Sequence, residues 1–179
     1  MDAIRPVPSG TSKSDGYRQI CEQLADLLKE EPDFLANAAN TVSLLYHTLP
    51  DINWAGFYFT RRDTLFLGPF QGKPACTRID FSEGVCGAAA SRNETIVVPD
   101  VEKFPGHVVC DPDSKSEIAV PLLNWGRLLG VLDLDSPSLN RFDDDDREGL
   151  ESLAALFLSS FSTDDLPDFE ALANQSINT

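Results

Sequence analysis

The sequence predicts an α+β domain, a central antiparallel sheet of about six strands layered with helices at both ends of the chain. Three observations carry that expectation. Apolar residues recur at helical spacing at each end, the segments between them alternate with period two, and most of those segments are joined by short turns of the hairpin kind. A chain of 179 residues is long enough for one such domain to build its own core.

Residues 1–16 carry Pro6, Pro8, Gly10 and several Ser and Thr but no apolar run, and are expected to form a flexible arm, neither signal peptide nor membrane anchor. The domain proper is read as 17–162. Tyr17, Ile20, Cys21, Leu24, Leu27 and Leu28 mark a first helix, Glu31 and Pro32 interrupt it, and Phe34, Leu35, Ala38, Val42 and Leu45 mark a second. Strands follow over 52–60 and 64–67, with a turn at Arg61, Arg62 and Asp63, and a third over 77–81. Ser82 is the expected N-cap of a small-residue helix over 85–91, and 95–98 returns as a strand. The proline-containing, acidic stretch 99–116 reads as a long loop of the kind that usually has a function. Two further strands, 117–123 and 127–135, meet at a tight turn of Asn124, Trp125 and Gly126. A last helix over 143–161 aligns Leu150, Leu153, Phe157 and Phe161, and residues 163–179 form an acidic, weakly patterned tail.

A formal net charge of −15 opposes binding to a phosphate backbone, so nucleic acid is not an expected partner. Part of that charge is the run Asp143, Asp144, Asp145 and Asp146, which reads as a solvated helix start. It lacks the alternating ligands and closing Glu of a calcium loop. With no membrane segment or secretion signal, the chain reads as cytoplasmic, with the nucleus a further option. In that reducing setting cysteines serve in catalysis, metal binding or packing more readily than in static disulfides.

The residues with chemistry in them are few. In 131–135 the alternation puts Asp133 and Asp135 on one strand face and Leu132 and Leu134 on the other. Like charges on one face either lie in solvent or, if turned into a cleft, need a cation. Trp54, Gly56 and Tyr58 share one face and Phe57 and Phe59 the opposite one, so one set fills a core while the other is either core or an aromatic wall with a gap at Gly56. Cys21, on the apolar stripe of the first helix, reads as a packed thiol. Cys86 falls in the first turn of the short helix, where backbone N–H groups favour a thiolate, and this argument makes it the more readily activated thiol. Cys110 sits on the long loop between opposing influences, Asp111 and Asp113 against His107 and Lys115. A zinc site built from His107, Cys110, Cys76 and Cys86 is the competing arrangement, but no paired Cys-x-x-Cys knuckle supports it, and no bound metal is expected.

Taken together, NWAGFY at 53–58, GPFQGKPAC at 68–76, GVCGA at 84–88, VPDV at 98–101, FPGH at 104–107, Cys110 with Asp111, KSEI at 115–118, Val120 with Pro121 and GVLDLD at 130–135 resemble the free methionine-(R)-sulfoxide reductases, enzymes built on a GAF fold. The resemblance covers 17–162. It implies a GAF-like catalytic domain that reduces the R epimer of free methionine sulfoxide to methionine, recycled by thioredoxin and without a bound cofactor; a homodimer is common in the family. By the same resemblance Cys110 attacks the sulfoxide sulfur and Cys76 and Cys86 resolve the intermediate, although Cys86 is also read as the attacking residue. Glu117, Asp133 and Asp135 hold the substrate ammonium, and Trp54 and Tyr58 wall in its methyl-sulfinyl end.

The implied chemistry is coherent. A thiolate attacks the electrophilic sulfur, the oxygen takes a proton, and a cysteine sulfenic acid and methionine result; a second thiol then forms a disulfide that an external dithiol reopens. Crowded carboxylates should have at least one raised pKa, which makes Glu117 or Asp135 the expected proton donor. The contrasting expectation, from a different class, is a GAF-type regulatory module that binds a cyclic nucleotide, tetrapyrrole or other small ligand without transforming it.

Overall fold

A computed structural model describes residues 4–29 and 33–162. Helices α1 (Lys13–Leu28) and α2 (Phe34–Thr48) precede strands β1 (Trp54–Arg61), β2 (Thr64–Gly72) and β3 (Arg78–Asp80), helix α3 (Gly84–Arg92), strands β4 (Ile96–Val98), β5 (Ser116–Asn124) and β6 (Arg127–Ser136), and helix α4 (Asp144–Ser159). The strands form one antiparallel sheet in the order β3-β2-β1-β6-β5-β4, in agreement with the expected α+β architecture.

Each helix start has an identifiable cause. Helix α1 begins at Lys13, four residues before the expected Tyr17, because the Ser12 hydroxyl accepts from the Asp15 N–H and so caps it. Asp33 caps α2 in the same way through the Ala36 N–H. Glu31 and Pro32, the expected interruption, lie outside the described residues, as does the tail 163–179. Helix α3 departs from expectation: its N-cap is Glu83, not Ser82, and no side chain caps it. Gly87 lets this helix lie against the end of β3, since a Cβ there would stand 2.5 Å from the Asp80 carbonyl oxygen.

The two sheet faces carry two cores. On one, Phe57, Phe59, Leu132 and Leu134 meet Ile20, Leu24, Phe34, Leu45, Leu153 and Phe157 of α1, α2 and α4. Phe157 stacks on Phe57 with ring centroids 4.7 Å apart, and its complete burial makes it worth about 1.5–3 kcal/mol in transfer alone. On the other, Trp54, Tyr58, Leu65, Ala119 and Val131 are covered by α3 and the 99–115 segment. That segment is less structureless than its composition suggests. A single 3-10 turn, Val101–Lys103, is capped by Asp100, and the Val101 N–H donates to the Lys115 carbonyl.

One charged expectation fails. Asp143 caps α4 in a capping box with Asp146, but Asp146 is fully buried, not part of a solvated helix start. Its carboxylate accepts from Tyr17 Oη at 2.8 Å, Arg141 Nη1 at 2.9 Å and the Asp143 N–H at 2.9 Å, and it pairs with Lys13. Periodicity placed it on an acidic face; the partners that compensate its burial come from α1 and from the β6–α4 connection.

Candidate active site

The site grows out of the register of three central strands. Trp54 on β1 stands opposite Asp135 on β6, which in turn stands opposite Glu117 on β5. One row along, Gly56 faces Asp133 and Asp133 faces Ala119. Since side chains in a cross-strand row share a face, three carboxylates and an indole emerge together beneath α3. The expected facing of Asp133 with Asp135, and of Trp54 with Tyr58, is what the structure has. The gap expected at Gly56 is taken up by Trp54 itself, for a Cβ at position 56 would fall 2.3 Å from Trp54 Cη2.

These residues line a small cavity of about 30 Å³, with room for an ion or about two waters. Its walls bring together Trp54, Tyr58, Cys86, Glu117, Asp133 and Asp135, and His107 and Cys110 border it from the 99–115 segment. Cys110 is disulfide-bonded to Cys76, with Cα atoms 5.5 Å apart. The sequence-derived zinc set therefore does not assemble, because two of its four donors are bound to each other.

Burial dominates the electrostatics. Glu117, Asp133 and Asp135 are each at least nine-tenths buried. Burial, and then repulsion from Asp133 and Asp135, pushes the Glu117 carboxyl well above the usual range. Asp135 rises well above it for the same reason, with Asp133 and Asp111 adding negative charge nearby. Burial raises Asp133 to about 7, opposed by hydrogen bonding to Cys86 and Glu117. Carboxyls raised in this way keep their protons to higher pH than exposed ones, and a cation brought into the cavity would offset the cost of ionising them.

Cys86 needs a correction. The helix N-terminus was expected to activate its thiol, but the side chain is 2% exposed, and burial followed by the charges of Asp133 and Glu117 drives its pKa well above the ordinary thiol value. Its Sγ lies 3.9 Å from Glu117 Oε1. Desolvation and two adjacent carboxylates outweigh the partial charge of one uncapped helix end. Cys21 is free and half-buried against the helical core, as a packed thiol should be.

The contacts that hold the disulfide in place, and the parts of Lys73, Asn53 and Ser114 in them, are not among the sequence expectations. Trp54 Nε1 donates to the Lys73 carbonyl at 3.2 Å and Tyr58 Oη to the Cys76 carbonyl at 3.1 Å, so the aromatic wall also pins the loop that carries Cys76. Across the cleft Lys73 Nζ meets Asp111 Oδ1 at 3.1 Å and also pairs with Asp113, while Asn53 Nδ2 donates to Asp111 Oδ2 at 3.2 Å and to Ser114 Oγ at 3.0 Å. Burial acts to raise Asp111, but the Asp113 N–H and the Lys73 ammonium more than offset it and hold the carboxyl below its usual value. His107 also joins the site, with Nε2 3.7 Å from Glu117 Oε2; burial lowers its pKa. The signal for these residues was their adjacency in sequence to Cys76, Cys110 and Trp54.

A sheet flanked by α1, α2 and α4 on one face, with a small cavity under α3 on the other, defines a GAF domain, and residues 18–175 match the GAF-domain family. The chain is 46% identical over 160 residues to the free methionine-R-sulfoxide reductase of Escherichia coli, covering 89% of this chain and 97% of that one. It is likewise 46% identical to the Saccharomyces cerevisiae enzyme of the same name, over 85% and 89% of the two chains. A crystal structure of free methionine-R-sulfoxide reductase from Neisseria meningitidis in complex with its substrate superposes with a TM-score of 0.83 at 39% identity, covering 98% of this chain and 100% of that one. The chain belongs to the free methionine-R-sulfoxide reductase family of GAF domains. Among the described residues no helix is long and apolar enough to cross a membrane.

Proposed function

We propose that this protein reduces free L-methionine-(R)-S-oxide to L-methionine by thiol chemistry. The observation that carries the reading is a small cavity lined both by three buried carboxylates and by one half of a disulfide, Cys110. Carboxylates so placed suit an α-ammonium, and an anionic nucleotide would meet repulsion there.

With the disulfide open, Cys110 is the attacking thiolate and bonds to the sulfoxide sulfur as the oxygen accepts a proton. Glu117 or Asp135, each pushed up by burial, is the proton donor. The hydroxyl ends on the cysteine sulfur, the sulfur–sulfur bond to the substrate breaks, and methionine leaves with Cys110 as the sulfenic acid. Cys76 then attacks that sulfur and expels water, giving a disulfide between the two residues that are paired in the structure. Cys86, buried and unpaired, fits resolution less well than Cys76. Two electrons from an external dithiol of the thioredoxin type reopen the bond. Trp54 and Tyr58, stacked 5.8 Å apart, face the apolar end of the substrate.

The test is an assay coupling thioredoxin, thioredoxin reductase and NADPH with the separated R and S free sulfoxides. NADPH consumption with the R epimer alone is the expected result. Equal consumption with both epimers, or with neither, overturns the reading.

A further inference from the structure

From the donors gathered under helix α3, we infer that the reduced protein binds one thiophilic divalent cation, such as Zn²⁺, through Cys86, Glu117 and Asp133, with His107 at the edge of the same site. Three facts support this. The Cys86 sulfur and one oxygen each of Glu117 and Asp133 lie within 4.8 Å of one another, and all three residues are buried. Asp133, which lines the cavity, hydrogen-bonds with Cys86 and Glu117 as a carboxyl, yet its Oδ1 atom is buried and has no hydrogen-bond partner among the described residues. His107 Nε2 is 3.7 Å from Glu117 Oε2, so an imidazole nitrogen stands on the far side of the same carboxylate.

The chemistry of the donor set picks the ion. Zinc is held in proteins by thiolate, imidazole and carboxylate at about 2.0–2.3 Å, commonly with four ligands arranged as a tetrahedron. In that arrangement neighbouring donors stand roughly 3.3–3.8 Å apart, so this set closes on an ion with shifts of an ångström or less. Magnesium and calcium take oxygen ligands and have no use for the thiol. The cavity, about 30 Å³, already accommodates an ion of this size. On binding, the Cys86 thiol gives its proton to solvent and becomes a thiolate ligand, so affinity rises with pH and each ion bound releases a proton. Cys86 thereby acquires a role that the redox pair does not give it.

The ion would take the seat assigned to the substrate ammonium, so zinc should compete with substrate; this consequence alone rests on the proposed function. Direct metal binding tests the site without turnover. Reduced protein is titrated with Co²⁺ under anaerobic conditions, and absorption is read for the thiolate-to-cobalt charge-transfer band, then for its loss on adding Zn²⁺. One equivalent of cobalt with that band is expected. Cys86→Ser should abolish the band, and Asp133→Asn should weaken binding by roughly a hundredfold. The double variant Cys76→Ser, Cys110→Ser should keep the band at full intensity. Absence of the band in the wild-type protein, or a band that survives Cys86→Ser and vanishes in the double variant, overturns the assignment; so does its absence in a double variant that circular dichroism shows to be folded. A Cys86-dependent band that saturating L-methionine fails to weaken upholds the metal site and counts against the ammonium seat instead.

Discussion

Glu117 and Asp135 occupy directly paired positions on β5 and β6, two buried carboxylates side by side where a sheet ordinarily avoids like charges. Both have pKa values well above the usual range, and Asp133, one row away, is raised to about 7. A carboxyl whose pKa is higher folded than unfolded binds more protons when folded between those two values, so its stabilising contribution is lost as pH rises through the folded value. Thermal melts of the ligand-free protein should therefore show higher stability near pH 5 than near pH 8, with Asp133 alone worth on the order of a few kcal/mol across that window. Asp133→Asn should flatten the profile. L-Methionine, if its ammonium sits here, should raise the midpoint more at pH 8 than at pH 5.

The same cluster should reject a substrate without a charged nitrogen. N-acetylation removes the ammonium and leaves the carboxylates unpaired, and each charge-assisted hydrogen bond is worth about 1.5–3 kcal/mol, a loss of roughly tenfold to a hundredfold per contact. N-acetyl-methionine-(R)-sulfoxide and peptide-bound sulfoxide should fall in kcat/KM by about a hundredfold or more. Comparable rates on the free and acetylated compounds would refute the ammonium cage.

Cys86 and Cys76 should separate under substitution. Mapping of the oxidised protein should recover the Cys76–Cys110 disulfide from both wild type and Cys86→Ser, because Cys86 is free and buried beside carboxylates. Cys86→Ser should still release about one methionine per chain in a single turnover and lose no more than about tenfold in steady-state rate, since a hydroxyl can donate to Glu117 as the thiol does. Cys76→Ser should release its first methionine and then accumulate sulfenic acid. Cys110→Ser should release none.

Much of this was legible in the sequence, for reasons that are physical. Period-two alternation in 131–135 and 53–59 decides which residues of one strand share a face, so it sets Asp133 with Asp135 and Trp54 with Tyr58, while only the pairing of β1 with β6 brings the two sets to one face. The state of Cys86 was not legible, because its local sequence gives the helix end but not the two carboxylates that reach it from β5 and β6. Asp146 was misread for a similar reason: three neighbouring Asp residues suggested solvent, while Tyr17 and Lys13 reach it from α1, with Arg141 joining from just ahead of α4. Helix α3 was misassigned at its cap because Ser82 is a better capping residue than Glu83 by propensity, yet the Gly84 N–H is satisfied by the Gly106 carbonyl across the cleft.

Lys73 and Asp111 tie the loop before Cys76 to the residue after Cys110, and Trp54 and Tyr58 pin that loop from the sheet. Such a clamp keeps the Cys76 thiol close to Cys110, and in the proposed reaction that raises the effective concentration of Cys76 for the disulfide step. Lys73→Ala and Asp111→Asn should leave the burst of methionine from pre-reduced enzyme nearly intact, slow the disulfide step by about tenfold, and increase the sulfenic acid trapped by a carbon nucleophile. High salt should mimic Lys73→Ala, because the lysine is more than half exposed and its pairing is open to screening. A loss of the burst itself, with resolution unchanged, would place these residues in attack and not in resolution.

Asp146 tests whether the fold depends on a charge that does not line the cleft. Its carboxylate is fully buried and holds Lys13, Tyr17, Arg141 and the start of α4 at one point, and Arg141 Nε also donates to the Pro50 carbonyl. Asp146→Asn leaves two cations facing a neutral amide, and breaking a buried pair from one side costs about 3–5 kcal/mol. For a chain of this size each kcal/mol lowers the melting midpoint by roughly 2–4 °C, so a drop of about 6–20 °C is expected. Asp144→Asn, at a side chain 96% exposed in the same acidic run, should change stability by less than about 0.5 kcal/mol. If both variants melted alike, the buried carboxylate would not be the fastening point of α1 and α4; if Asp146→Asn melted early yet turned over normally well below its midpoint, the network would be shown to support the fold without reaching the site.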